Sequence, residues 1–241
     1  RATDDHTIGL MINGNLTIAK ILNPATTYDP LKDLQPVSLI AVSPLVLAVP
    51  AGTSASGKAF FDDAKAQGDK LNYGTPGVGT VAHLGMELHK SRAGIAPVHV
   101  PYPGNPQVIT AMLGGQVQMS LLPPGLAMPQ VRAGKLKAIG VTSTGRSSLV
   151  PDVPSLTEAG VRDFQLEIWN AVAAPNSLPK AHVNRLATLL TEIVRREDIR
   201  QKIFGQGWQV AGTGPEGLAR RIKSDTAAMA EVIQRNNIRP G

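Results

Sequence analysis

The sequence predicts an α/β protein with a mostly parallel sheet, built as one large domain or two smaller ones. Three observations carry this reading. Strand-length apolar runs alternate with helix-length segments between Leu71 and Thr142. The connections are rich in Gly and Pro and open the following helices. The 241 residues are 42% hydrophobic and 17% charged, enough for two domains to bury a core each.

In chain order, Thr7–Ile12 is a short apolar strand ending in Asn13-Gly14-Asn15, a turn that tolerates left-handed backbone. Asn13 is a candidate donor to a ligand at the strand's carboxyl end, and equally a plain turn former. Pro36–Ile40 and Leu45–Val49 are β-rich runs broken at Ser43-Pro44, where the chain is expected to cross into a second domain. Ser54–Gln67 reads as an N-capped helix with Phe60, Phe61 and Ala64 inward.

Leu71–Tyr73 is the next strand. Pro76, Gly77 and Gly79 then delay the helix and let the backbone turn sharply. Thr80 is the expected N-cap, with His83 on the first turn and Leu84, Met86 and Leu88 buried. A helix opening from a Gly-rich turn presents unpaired N–H groups and a positive dipole end, which suits an anion. A carboxylate is the expected occupant; an ordinary strand-to-helix turn without a ligand is the alternative.

Val98–Val100 is a strand, and Tyr102–Pro106 opens a helix through Val108, Ile109, Met112 and Leu113. Gln116–Leu122 alternates as a strand, Leu126–Ala133 is a short helix, and Leu136–Thr142 is a strand. Ligands of parallel sheets sit beyond the strands' carboxyl ends. Asn13 and the turns at 75–80, 102–105 and 121–125 all follow strands.

Pro151–Gly160 reads as a stiff loop into a short helix, and Phe164–Ala173, with Trp169, as the return crossing. Ser177 and Pro179 start an amphipathic helix with the stripe Leu186, Leu189, Leu190, Ile193 and Val194. A second helical segment spans Glu197–Phe204, and Trp208–Val210 is a short strand. Thr213-Gly214-Pro215-Glu216 reads as a capping box for the last helix, with Leu218, Ile222, Met229, Val232 and Ile233 inward.

Composition narrows the function. There is no cysteine, hence no disulfide or thiol chemistry. No apolar run reaches membrane-spanning length, and no signal peptide is read. A chain opening on Arg1 is expected to be processed, truncated or a fragment. The net charge is +6 and the pI near 9.7. Lys and Arg are interleaved with acids and only 4% of residues are aromatic, which argues against nucleic acid. Solvated helix faces explain the basic excess, with modest steering of a small anion as the functional reading.

Enzyme motifs fail on their own terms. No Lys follows Gly79, as a Walker-type loop requires. Gly77–Ala82 fits the loose dinucleotide fingerprint, but Val98–Val100 runs into Pro101-Tyr102-Pro103-Gly104 without the acid that should end it. No nucleophile signature such as G-x-S-x-G accompanies His83. No catalytic residue, metal ligand or cofactor is expected.

An ordered set of segments resembles one family. It comprises Tyr28-Asp29-Pro30 with Leu34–Leu39, Gly77–Thr80 with His83, Val98–Tyr102, Gly114–Val117, Ala133–Leu136 with Val141–Ser143, and Pro151–Pro154 with Glu158–Gly160. They look like the Bug proteins, the TctC-type extracytoplasmic solute receptors of tripartite tricarboxylate transporters. The resemblance implies a type II periplasmic-binding-protein-like fold. Two mostly parallel α/β domains would be joined by hinge strands near Leu45–Pro50 and Leu166–Val172. Domain 1 would span 1–47 and 168–241, and domain 2 would span 48–167.

The function implied is periplasmic capture of a small carboxylate (a dicarboxylate, acidic amino acid or aromatic acid) in an interdomain cleft, without catalysis. The partners are that ligand and the transporter's membrane components. Matching ligand positions are Gly77, Val78, Gly79 and Thr80 in domain 2 and Asn13 in domain 1, with Gly104 and Trp169 near the cleft. Alternatives are a non-binding interaction or sensory scaffold and a small-molecule enzyme using His83. Family members begin with a strand, a Pro-x-Gly-Gly turn and a helix, which are missing here. A homo-oligomer through the truncated domain is a further expectation. Gln118 stands where the family has an acid, and Leu122-Pro123 where it has Asp-Asn, so distal contacts are expected to be more apolar.

Overall fold

The computed structural model describes residues 6–162 and 164–238. Contacts group the chain into two compact units, one of residues up to Val42 together with Ile168 onward, the other Ser43–Glu167.

In the first unit, β1 (Gly9–Ile12) pairs antiparallel with β8 (Glu167–Pro175), and β2 (Leu34–Pro44) pairs antiparallel with β9 (Gln209–Thr213). The sheet order is β1-β8-β2-β9. The expected mostly parallel pairing does not hold in these two registers. β2 carries the chain out of the unit and β8 brings it back, so each runs against a strand of the local winding. A π-helical turn, Gly14–Ile18, runs into α1 (Ala19–Leu22). Three helices follow the return strand: α6 (Lys180–Arg195), α7 (Glu197–Gly205) and α8 (Pro215–Arg235).

One core cluster of this unit gathers Leu16, Leu39, Trp169, Ala171, Leu218 and Ile222. A second joins Val37, Val172, Leu178, Val183 and Ala187. α6 therefore turns Val183, Ala187 and Val194 inward, and Leu189 and Ile193 of the expected stripe are exposed. The expected capping box of α8 does not form: Gly214 is the N-cap, and it makes no side-chain cap bond. At the sheet edge, Leu10 and Ile12 face outward, 74% and 52% exposed.

In the second unit, β3 (Val46–Pro50) lies between β6 (Ser120–Leu122) and β7 (Leu136–Val141), antiparallel to both. β4 (Asn72–Thr75) and β5 (Val98–Pro101) are parallel, and a parallel bridge from Tyr73 to Met119 ties β4 beside β6. The winding is thus parallel except for β3, the strand that brings the chain in. Its helices are α2 (Lys58–Gln67), α3 (Val81–Ala93), α4 (Asn105–Leu113) and α5 (Pro124–Arg132). The apolar faces of α4 and α5 close a core of Val46, Val108, Met112, Val117, Leu122 and Val141.

Local differences have local causes. α2 starts at Lys58 behind Gly57, at φ 55°, so Ser54 does not cap it. Residues 116–118 stay outside β6 because Gln118 folds back: its Nε2 donates to Gly115 O at 2.9 Å, and its Oε1 accepts from Asn72 N at 2.8 Å. Residues 155–160 form turns instead of a helix. Ser155 and Glu158 exchange side-chain-to-backbone bonds there, while Leu156 N goes to Val141 O.

Candidate functional site

β4 and β5 run in parallel, so the turns leaving them lie side by side. Tyr102 N donates to Thr75 O at 2.9 Å, which fixes the 102–104 turn against the 75–80 turn. Ser120 Oγ donates to Gly74 O at 2.9 Å, which holds β6 beside both. Three strand-to-helix turns therefore leave neighbouring parallel strands at their carboxyl ends, the usual position for a ligand in such sheets.

The 75–80 turn needs its glycines. Gly77 has φ 126° and Gly79 φ 77°, conformations that side chains rarely adopt. Thr75 Oγ1 donates to Gly77 O at 3.1 Å and accepts from Gly77 N at 3.3 Å. Thr80 is the N-cap of α3, as expected. Its Oγ1 accepts from His83 N at 3.3 Å and donates to Gly77 O at 2.9 Å. The N–H groups of Val81 and Ala82 sit in the first turn, where the helix itself cannot satisfy them. Gly79 N is engaged, donating to His83 Nδ1 at 3.1 Å.

Behind the turn lies a polar cluster of which the sequence singles out His83 alone as a candidate. The His99 ring is stacked between His83, at 4.0 Å and 14°, and Tyr73, at 4.9 Å and 23°. His99 Nε2 lies 2.6 Å from Thr75 Oγ1. The Tyr73 hydroxyl donates to Glu87, which also accepts from Lys90 Nζ at 2.9 Å. Burial pushes His99 down to about 4, and the neighbouring His83 adds to this. Burial lowers His83 as well, against the pull of Glu87. Tyr73 is pushed up by burial and by the Glu87 carboxylate beside it. The available signals were the i,i+4 spacing of His83 and Glu87 and the two rings, Tyr73 and His99, on adjacent strands.

The structure brings Gly77, Val78, Gly79, Thr80 and Gly104 together on the second unit. Gly104 heads α4 with extended backbone, φ −178°. Asn13 and Trp169 belong to the first unit. Asn13 is buried in right-handed helical conformation, not in the expected left-handed turn, because it leads into the π-helical turn and its carbonyl accepts from Thr17 Oγ1 at 2.7 Å. Trp169 is fully buried, and its Nε1 donates to Asp225 at 2.7 Å. Its side chain has no exposed surface to offer a ligand. Among the described residues there is no His/Cys/Asp/Glu group suited to a metal ion.

A family model described as tripartite tricarboxylate transporter family receptor, TctC, matches residues 1–238. The chain belongs to the TctC family. A relative from Pseudomonas sp. strain P51, named for the tcbD-tcbE intergenic region, is 31% identical over 96% of this chain and 69% of its own. The R. palustris protein Rpa4515, solved with adipate, superposes with a TM-score of 0.93 at 25% identity, over 100% of this chain and 81% of that one. MatC from Rhodopseudomonas palustris, with bound malate, gives 0.85 at 27% identity, over 97% and 81%. These likenesses establish the periplasmic-binding-protein fold. No helix among the described residues is long and apolar enough to cross a membrane.

Proposed function

We propose that this chain is a periplasmic receptor that captures a small dicarboxylate for a tripartite tricarboxylate transporter. The observation that carries the reading is the opening of α3. Gly77 and Gly79 fold the backbone away, Thr80 caps one N–H, and Val81 and Ala82 keep N–H groups without intrahelical partners at the positive end of the helix. Gly77, Val78 and Thr80 form the wall of that anion site, Gly79 fixes its shape, and Gly104 brings a second helix start alongside. The two units are taken as the receptor's two domains, with Asn13 on the first. Adipate and malate, bound by the two R. palustris relatives, define the ligand class to test.

Catalysis by His83 fits less well. His83 Nδ1 accepts the Gly79 N–H, so the lone pair that a general base would use is occupied.

A thermal-shift and calorimetric screen of adipate, malate and other carboxylates tests the reading. A ligand at about a hundred times its dissociation constant adds roughly 2.7 kcal/mol. Thr80→Ala combined with Gly79→Pro should abolish the response, since proline cannot adopt the Gly79 backbone. Unchanged affinity in that double variant would refute this placement of the site.

A further inference from the structure

We propose that His83 and His99 are positioning residues that lock the anion-binding turn only while both imidazoles are neutral, so that acidification releases bound carboxylate. The inference rests on the carboxylate reading of the α3 turn and adds its control.

The two rings hold the two halves of one turn. His99 reaches the first half through Thr75, whose hydroxyl meets both His99 Nε2 and the Gly77 backbone. His83 reaches the second half directly, through the Gly79 N–H. Because the rings stack on each other at 4.0 Å, neither half of the turn can shift without disturbing the other. Gly77 and Gly79 sit in backbone conformations that such anchors would hold.

Charge state decides whether the His83 anchor exists. Nδ1 of His83 accepts a hydrogen bond, so it must carry a lone pair. Protonation there puts one N–H against another and breaks the tie to Gly79. A proton on either ring also places a charge against the face of its neighbour, and two protons would repel at stacking distance. The surrounding groups do not cancel this. Tyr73 faces the pair from β4 as a neutral phenol. Glu87 and Lys90 face it from α3 as an ion pair whose effects on the two histidines have opposite signs. Buried imidazoles hold their neutral form to below the ordinary range, so the lock is closed at neutral pH and opens only as the pH falls below that range.

Two measurements test this. In the ligand-free protein, the Gly79 amide resonance and its hydrogen exchange should titrate together with the His83 ring, below the ordinary imidazole range near pH 6.5. If the rings titrate and Gly77 and Gly79 do not respond, the proposal fails, whatever the ligand. The second measurement is calorimetric binding of adipate and malate from pH 7.5 to 4.5, comparing unsubstituted protein, His83→Ala and His83→Asn. Asn offers an oxygen to Gly79 but takes no proton in this range. It should recover most of the affinity lost in His83→Ala. It should also flatten the acid limb, which in the unsubstituted protein steepens toward tenfold per pH unit per proton taken up. Protonation of the acids themselves is common to all three proteins and drops out of the comparison. Parallel acid limbs in the unsubstituted protein and His83→Asn would overturn the proposal. Failure of the unsubstituted protein to bind either acid at pH 7.5 would instead count against the carboxylate reading, and the amide titration would still decide whether the lock exists.

Discussion

His89 sits on the same helix as His83 but is held by burial alone. It is fully buried between Phe61 and Phe164, with ring centroids 5.3 Å away on each side, and neither ring nitrogen has a hydrogen-bond partner. Burial pushes it down to about 4. The sign follows. The unfolded chain takes up the proton near pH 6.5 and the folded chain only near 4, so stability is full above 6.5 and falls as the pH drops between the two values. His83 and His99 act in the same direction. His89→Leu should therefore stabilise the protein at all pH values, by about 1–3 kcal/mol, because it removes two unsatisfied nitrogens from an aromatic slot. It should also make the acid slope of stability shallower. Urea melts from pH 7.5 to 4.5 would show this, and a destabilised variant with an unchanged slope would mean that His89 has a polar role.

At the scale of elements, α3 is positioned by a close approach as much as by its cap. Gly85 faces the interior, where an added Cβ would overlap Leu166 Cδ2 and come within 3.0 Å of Leu121 Cδ1. Alanine is worth about 1 kcal/mol over glycine in a helix interior, but overpacking of this kind costs about 1–3 kcal/mol. Gly85→Ala should thus be destabilising on balance. It should also weaken carboxylate binding wherever α3 relieves the clash by shifting its first turn. A stabilised variant in thermal melts would show that Leu166 yields freely. Much of this element was legible in the sequence: Pro76, Gly77, Gly79 and Thr80 announced where the helix starts and how. Leu88 was expected in the core, yet His89 takes that place and Leu88 is half-buried, because packing against Phe61 and Phe164 sets the rotation of the helix. The Ser155–Glu158 pair has the spacing of a helix start but closes only a turn, since Leu156 is drawn onto β7 by Val141. Trp169 reads as a candidate ligand contact in sequence, and only tertiary structure shows Asp225 taking its indole N–H. The stacked histidines come from 16 residues apart in sequence (99 − 83), and nothing local predicts that their rings meet.

Charge acts at the scale of the whole molecule. The chain carries +6, and the dicarboxylates proposed for it are dianionic near neutral pH. A net positive body attracts such ligands from solution, raising the encounter rate without strengthening the bound state. The attraction is modest because many cations are already matched on the helix surfaces. Lys58 pairs with Asp62, Arg221 with Asp225 and Arg235 with Glu231, each one helical turn apart. What remains is a diffuse field, screened beyond about 10 Å at 0.1 M salt. Raising salt from about 0.02 to 0.5 M should therefore slow malate association by roughly two- to fivefold, with the dissociation rate nearly constant. The bound carboxylate, by contrast, would be held by short-range N–H contacts at the start of α3, which salt screens far less. Stopped-flow traces at several salt concentrations separate the two. If salt changed mainly the dissociation rate, the bound anion would be held by exposed charges, and the backbone N–H site at α3 would not be its principal anchor.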